Sequence, residues 1–424
     1  MNRLGVSLVC LEDQQNRRFG MASDRLEMHM RAIRFRYVSY ALLCTSVLAP
    51  ASWMTASAAQ LVVDDDKVEC PHAGFTHIQD AINAASPGDH IRICKGTYVE
   101  QLTVNKALTL DADSGAVLMP SPMQQNTTSL FDAAPIATAL LVENATNVTV
   151  RGLTVDGANN GISQCAPDLE GITFQNASGS IERVAVRNFK LAAGLGGCQS
   201  GTGIFIQSAG GMISNVEIDD STIHDFQKNG ITANEIGTRA SIQNNVVTGI
   251  GPTTAIAQNG IQIGFGAGGE IERNLVTNTV FSPCNAVVTC QAVATDILVT
   301  QSDGVEVSRN RAGISQVAIF IDGNRAVVER NETFAAVVFD GIRVEGNRAD
   351  VRHNRVFNGA ESGIFLLGNN NVMEDNVITE APIGIFKDTS SMGNLIAMNL
   401  FFDTPIAVKD PASPALAKIV KPKR

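Results

Sequence analysis

The sequence is poor in the side chains that several protein classes depend on. Its 424 residues include one Trp, Trp53, and three Tyr, and its 32 Lys plus Arg are outnumbered by 42 Asp plus Glu. The acidic balance argues against a nucleic-acid partner. Patterns typical of helices are scarce, and the main apolar run, near the N-terminus, is too short to span a bilayer comfortably.

What the chain has instead is a repeat with a period near 22 residues. Gly341, Gly363 and Gly384, each followed by Ile, are 22 and 21 residues apart, and Asn354 and Asn376 are 22 apart. Each unit holds short runs of alternating apolar and polar residues separated by Gly, Asn and Asp, and leaves no room for a helix. Three short strands with tight turns fill such a unit, which is one coil of a parallel β-helix. We interpret the Asn column as a structural ladder.

Residues 1–59 are expected to form an export signal with an over-long N-terminal extension, in which Met28 or Met30 is a plausible start. Arg31, Arg34 and Arg36 precede an apolar core, and a small-residue cleavage site lies at 56–58. The mature protein, residues 60–424, is therefore predicted to be secreted or periplasmic.

Residues 75–85 form the one convincing amphipathic helix, with Thr76 as a candidate N-cap. We expect this helix to cap the open N-terminal end of the solenoid. The sequence continues with Pro-Gly-Asp, a strand, the run Gly96-Thr-Tyr-Val-Glu and a further strand.

This order of segments resembles the opening of the pectin-lyase-like superfamily, especially the exported β-helix proteins grouped as carbohydrate-binding proteins and sugar hydrolases. The resemblance covers nearly all of the mature chain and implies a right-handed parallel β-helix. The fold class is therefore all-β, a solenoid of about ten coils of ~22 residues with an N-terminal capping helix. The later signature segments of pectin methylesterases are missing, and of the polygalacturonase motifs only Asp219-Asp220 is present, so neither family is expected.

Extra residues relative to the repeat fall at 157–170, 188–202, 249–258 and 278–295, always before a Gly-Ile strand. Long loops should therefore crowd one rim of coils 139–297. Coils 298–408 should be regular, and 409–424 should form a tail. Function usually resides in loops held on a rigid scaffold.

Six cysteines remain after the expected signal, and an even number in an exported chain suggests three disulfides. Sequence alone permits 15 pairings. The repeat favours neighbours: Cys165 with Cys198 on stacked strands, Cys70 with Cys94 at the cap, and Cys284 with Cys290 in one loop.

The best concentration of chemically useful side chains runs from Asp219 to Asn234. His224, Asp225 and Lys228 could supply a base, an orienting group and a cation that neutralises a uronate carboxylate. An ordinary polar turn between strands would carry the same residue types. The substrate-binding candidates come from this stretch and from the residue after each Gly-Ile, which should point outward; they are Asp220, Asn229, Asn234, Phe205, Gln262 and Arg343.

These features and the resemblance lead us to expect a monomer that binds or modifies an extracellular or cell-envelope polysaccharide, the enzyme version being a lyase or epimerase of acidic sugars. The alternative is a non-catalytic surface adhesin or structural rod. No cofactor or metal site is firm, although calcium could bind at Asp64-Asp65-Asp66, a run that equally suits a solvated segment.

Overall fold

The computed structural model describes residues 58–282 and 293–411. They form three long parallel sheets and one short helix, α1, Ile78–Ala84. The chain passes from sheet A to sheet B to sheet C and back, once per coil. The predicted signal, the pair Cys284 and Cys290, and the end of the tail lie outside the described residues.

Sheet A has 13 strands. They are Gln60–Val63, His90–Ile93, Thr109–Ala112, Val148–Arg151, Gly179–Glu182, Ser214–Asp219, Thr238–Gln243, Gly268–Glu272, Glu306–Ser308, Val327–Glu329, Asp350–Arg352, Val372–Glu374 and Leu395–Ala397.

Sheet B has 12 strands. They are Gly96–Tyr98, Ala116–Leu118, Thr154–Asp156, Ala185–Arg187, Thr222–His224, Val246–Thr253, Leu275–Phe281, Arg311–Ser315, Glu332–Ala336, Arg355–Gly359, Val377–Thr379 and Leu400–Phe402.

Sheet C holds the Gly-Ile strands, and the short strand Thr127–Thr128 pairs antiparallel with its second member. Its parallel strands are Leu102–Val104, Pro135–Glu143, Asp168–Gln175, Thr202–Gln207, Asn229–Asn234, Asn259–Gly264, Thr295–Thr300, Val317–Ile321, Asp340–Val344, Ser362–Leu366, Ile383–Lys387 and Ile406–Lys409.

The interior is one continuous apolar column. The isoleucines after the Gly positions, such as Ile172, Ile204 and Ile231, are fully buried and stack in register along sheet C. The glycines beside them face the interior too, and a Cβ on Gly171 would lie 2.3 Å from the carbonyl oxygen of Gly203. Glycine is therefore required there by close packing, and not by an unusual φ angle.

The asparagine ladder is present at the corner between sheets A and B. The Asn354 side chain donates to Asn376 Oδ1 at 2.9 Å, and its own Oδ1 accepts the backbone N–H of Asn331 at 2.9 Å. The same pattern links Asn245, Asn274, Asn310, Asn331, Asn354, Asn376 and Asn399. These asparagines are structural.

The helix α1 packs Ile78, Ala81 and Ile82 into the core beside the first coil. Its N-cap is His77, with no side-chain cap bond, so the expected Thr76 cap is wrong. The Glu100 carboxylate instead accepts the backbone N–H groups of Ile78 and Gln79 at 2.7 and 3.0 Å. Unpaired N–H groups at a helix start favour such an anion.

Two disulfides, Cys70–Cys94 and Cys165–Cys198, confirm the pairings predicted for those four residues. In the described part of the chain no helix has the length and apolar character needed to cross a membrane.

Candidate functional site

Five of the six predicted substrate-binding residues lie on the outer face of sheet C. Side chains along a strand point alternately into the interior and outward. The outward side chains of successive coils therefore form three rows along this face. The first row contains Thr138, Glu170, Thr202, Asn229 and Asn259; the second contains Thr173, Phe205, Thr232, Gln262 and, further along, Arg343; the third contains Gln175, Gln207 and Asn234.

Side-chain hydrogen bonds join these rows. Asn229 donates to the Thr232 hydroxyl at 2.9 Å, Asn259 donates to Gln262 at 3.1 Å, and Gln262 donates to Asn234 at 3.1 Å. The face therefore holds a connected set of amides and hydroxyls, most of them buried: Asn229, Asn259 and Gln262 are 7–8% exposed and Thr232 is 2% exposed. Amides and hydroxyls can donate to and accept from sugar hydroxyls.

Glu170 lies in the first row and was missed by the sequence analysis. Its side chain is only 5% exposed, and burial raises the pKa of its carboxyl to about 8, with Asp168 raising it further and a hydrogen bond to Thr173 opposing. Asp168, two residues earlier on the same face, has its pKa raised to about 6 by burial and by the nearby Asp132. Two carboxyl groups with elevated pKa values thus share one strand.

Hydrogen bonds connect Glu170 to two neighbouring threonines. Thr173 Oγ1 lies 2.5 Å from Glu170 Oε2 and 2.8 Å from Thr138 Oγ1, and Thr138 Oγ1 lies 3.2 Å from the carbonyl oxygen of Gly171. The Thr173 hydroxyl donates to Glu170 Oε2 and so lowers the carboxyl pKa, against the larger effect of burial. These contacts fix the position of the Glu170 side chain.

A strap formed by residues 127–132 crosses part of this face. Thr127 donates to Gln175 Oε1 at 2.7 Å, and the backbone N–H of Leu130 donates to Gln207 Oε1 at 2.7 Å. The strap therefore covers the third row at Gln175 and Gln207. The insertion was not recognised from the sequence because it precedes Ala139, where the columns of the repeat become visible.

The predicted catalytic trio is only partly assembled. His224 ends a strand of sheet B, and its Nδ1 lies 2.7 Å from Asp225 Oδ2. The other Asp225 oxygen accepts from Lys190 Nζ at 2.8 Å, and the bonds from Lys190 and His224 lower the Asp225 pKa. Lys228 does not join them: its Nζ donates to the carbonyl of Ala257 at 2.8 Å, and burial lowers its pKa. The cation paired with Asp225 is therefore Lys190.

Asp220 is also separate from the other candidates. It occupies the turn between the strands Ser214–Asp219 and Thr222–His224, at the corner of sheets A and B. Its φ of 51° marks the left-handed turn position that precedes the asparagine ladder. Its place in the fold matches a turn residue.

Arg343 has partners on several sides. It donates to Asp340 at 3.2 Å and to Glu345 at 2.7 Å, and its guanidinium lies 4.2 Å from the centre of the Phe365 ring. Burial raises the pKa of Asp340 to about 7, although Ser362 and Arg343 oppose that shift. Arg343 is thus largely committed within the protein.

The acidic run Asp64–Asp66 places three carboxylate oxygens within 4.8 Å of one another. Each residue already accepts a backbone N–H: Asp64 from Cys70 at 2.5 Å, Asp65 from Thr97 at 2.9 Å and Asp66 from Val68 at 2.9 Å. Calcium at this run remains a prediction.

One family model matches residues 259–416, less than half of the chain; its description is "Periplasmic copper-binding protein (NosD)". Between residues 259 and 411, the described residues contain no group of three His, Cys, Asp or Glu side chains placed to share a metal ion. These residues therefore do not fit a copper site of that kind. The search of curated proteins gave no match.

Solved structures of similar shape include a GH136 lacto-N-biosidase from Eubacterium ramulus, at 11% identity and a TM-score of 0.52, covering 83% of this chain and 67% of that one. Another is the A-module of the mannuronan C-5 epimerase AlgE6 from Azotobacter vinelandii, at 15% identity and a TM-score of 0.51, covering 82% and 94%. At such identities the similarity concerns the fold. The chain has the right-handed parallel β-helix fold.

Proposed function

We propose that the protein binds an extracellular or cell-envelope polysaccharide along the outer face of sheet C and modifies it there. The observation that carries the proposal is Glu170, an enclosed carboxyl on an outward row, with Asp168 beside it. A proton donor for a leaving sugar oxygen needs an elevated pKa, and a second carboxylate is the usual partner in cleaving a glycosidic bond.

The positions of Asp168 and Glu170 on one strand suit that partnership. Outward positions two residues apart on a strand are separated by about 6–7 Å. Pairs that leave room for a water molecule are about 6.5–9.5 Å apart. In this scheme Glu170 gives its proton to the glycosidic oxygen as the bond breaks, and Asp168 takes a proton from the attacking water.

The lyase or epimerase version uses the corner of sheets B and C instead. His224 would act as the base, oriented by Asp225, and Lys190 would face the uronate carboxylate. The products distinguish the schemes, since a lyase makes unsaturated ends that absorb ultraviolet light, and hydrolysis makes only new reducing ends.

A glycan panel with single variants tests the proposal. Glu170→Gln should abolish release of reducing ends, and the exposed control Asp403→Asn should leave it unchanged. If His224→Ala forms no unsaturated products while Glu170→Gln stays fully active, the reaction takes place at the corner of sheets B and C. Binding and activity absent across the panel would contradict the proposal.

A non-catalytic adhesin or rod is the second candidate, and the regular coils favour it. There the second row runs Phe320, Arg343, Phe365 and Phe386, and the rings of Phe365 and Phe386 are edge to face at 5.3 Å between ring centres. Glycan binding with no product formed would support this candidate.

Export is part of the proposal. The two disulfides suit an oxidising compartment, and the matching family is described as periplasmic. Detection of the protein in a periplasmic or culture fraction, shortened at the N-terminus, is the test.

A further inference from the structure

The outer face of sheet A carries a groove separate from the face described above. Its volume is 810 Å³, and one row along its floor consists of Thr149, Ser180, Glu217, Ser241, Glu270 and Glu306. Successive members belong to successive coils, so a hydroxyl or a carboxylate recurs about every 4.8 Å.

Part of this floor is held in place and part is free to bind. Ser241 donates to Glu270 Oε1 at 2.7 Å, and Gln243 donates to the same oxygen at 2.8 Å. In the described part of the chain the side chains of Glu217 and Arg239 have no hydrogen-bond partner, and both are exposed. The floor therefore combines polar groups fixed by hydrogen bonds, Ser241 and Glu270, with the exposed side chains of Glu217 and Arg239.

Next to the groove lies an exposed apolar surface, called here the apolar ledge, formed by Phe131, Met212, Ile213 and Ile236. Arg239 also lines a neighbouring cavity of 600 Å³, which shares Ile213 with a third cavity of 420 Å³. Four strongly exposed apolar side chains line the third cavity: Phe131 (74%), Met212 (51%), Ile213 (60%) and Ile236 (80%). An exposed cluster of this size is unusual on a soluble protein and marks a binding surface.

The negative charge of the groove indicates which kind of glycan it can bind. Five acidic side chains line the groove and the two adjoining cavities: Glu217, Glu270, Glu306, Glu235 and Asp303. The same lining contains one basic side chain, Arg239. A polyanion would be repelled. A neutral sugar chain instead offers apolar ring faces to the ledge and hydroxyls to the row.

We propose that the groove on sheet A and its apolar ledge form a binding site for a neutral glycan chain, distinct from the site on sheet C. Phe131 and Ile236 would pack on ring faces, and Arg239, Glu217 and Ser241 would bind hydroxyls. The inference does not depend on catalysis at Glu170.

The test measures binding of neutral oligosaccharides and uronate oligosaccharides by calorimetry to the full chain and its variants. Phe131→Ala and Arg239→Ala should each weaken neutral-glycan binding about tenfold, as expected for loss of an interaction worth ~1.4 kcal/mol. Phe402→Ala, an exposed aromatic in the last coil, should bind normally. Uronate oligosaccharides should bind more weakly at low salt, with a gap that narrows as salt rises.

Several results would overturn the inference. They are unchanged neutral-glycan affinity in both groove variants, preferential binding of uronates, or self-association that Ile236→Ser abolishes, since the last result would identify the ledge as a contact between two copies. Loss of activity in Glu170→Gln with full binding in all groove variants would contradict this site and leave the proposed function standing.

Discussion

Replacing Glu170 by Gln should make the protein less sensitive to rising pH. In the wild type, burial raises the carboxyl pKa to about 8, above its usual value in an unfolded chain of about 4.3. The folded state therefore binds more protons, so the stabilising contribution is complete below the unfolded pKa and is lost as the pH rises through about 8. Gln cannot titrate, and its amide oxygen can accept the Thr173 hydroxyl hydrogen as Glu170 Oε2 does.

The expected magnitude follows from the pKa difference. Where Glu170 is protonated in the folded chain and ionised in the unfolded chain, each pH unit changes the unfolding free energy by ~1.4 kcal/mol. From about pH 5.5 to 7.5 the wild type should thus lose about 2–3 kcal/mol that the variant keeps. Asp168 and Asp340, with pKa values near 6 and 7, also titrate in this range, so the difference between the two proteins is the quantity to follow.

Urea unfolding at four pH values, followed by far-ultraviolet circular dichroism, gives that difference directly. Glu217→Gln is the matched control, because Glu217 is exposed on sheet A, and it should parallel the wild type at every pH. A wild-type minus Glu170→Gln difference that stays constant across the range would refute both the protonation of Glu170 and its assignment as a proton donor.

Three further changes test the scaffold by urea unfolding. Asn354→Ala removes four ladder hydrogen bonds and leaves a buried N–H without a partner, so it should lower the unfolding free energy by about 3–5 kcal/mol. Asn105→Ala, at an exposed position, should lower it by less than ~0.5 kcal/mol. Equal losses in the two variants would contradict the structural role of the ladder. The double change of Cys165 and Cys198 to Ala opens a loop with a sequence separation of 33 and should cost about 3–4 kcal/mol; an unchanged midpoint would contradict it. Glu100→Ala removes the anion at the start of α1 and should cost about 1–2 kcal/mol, and an effect no larger than that of Asn105→Ala would argue against capping.

The fold could be predicted because every coil repeats the same local requirement. Gly171 and its equivalents need the smallest side chain against the next coil, and Asn354 and its equivalents need the same amide, so both columns are visible in one sequence. The expectation of about ten coils was low, since the sheets hold 12 or 13 strands. The first coils, including the strand Leu102–Val104, carry neither the Gly-Ile pair nor the ladder Asn.

The site was less predictable because side chains meet across coils and not along the chain. Lys190 and Asp225 are 35 residues apart yet form an ion pair, while Lys228, three residues from Asp225, turns away to Ala257. Glu170 could have been found: it occupies the position before Gly171, where Asn229, Asn259 and Asp340 stand in other coils. This row is hard to see in the sequence because its residue type changes from coil to coil, from Glu170 to Thr202 to Asn229.

The distribution of charge also bears on which polysaccharide suits the face on sheet C. A uronate polymer needs cations to neutralise its carboxylates, yet Arg343 is already paired with Asp340 and Glu345. Lys190, at the neighbouring corner, is paired with Asp225. Asp168, whose carboxyl pKa is raised to about 6, adds a carboxylate that is ionised at pH 7. A neutral polymer meets no repulsion from this carboxylate, so the electrostatics favour acid-assisted chemistry on a neutral chain over elimination from an acidic one.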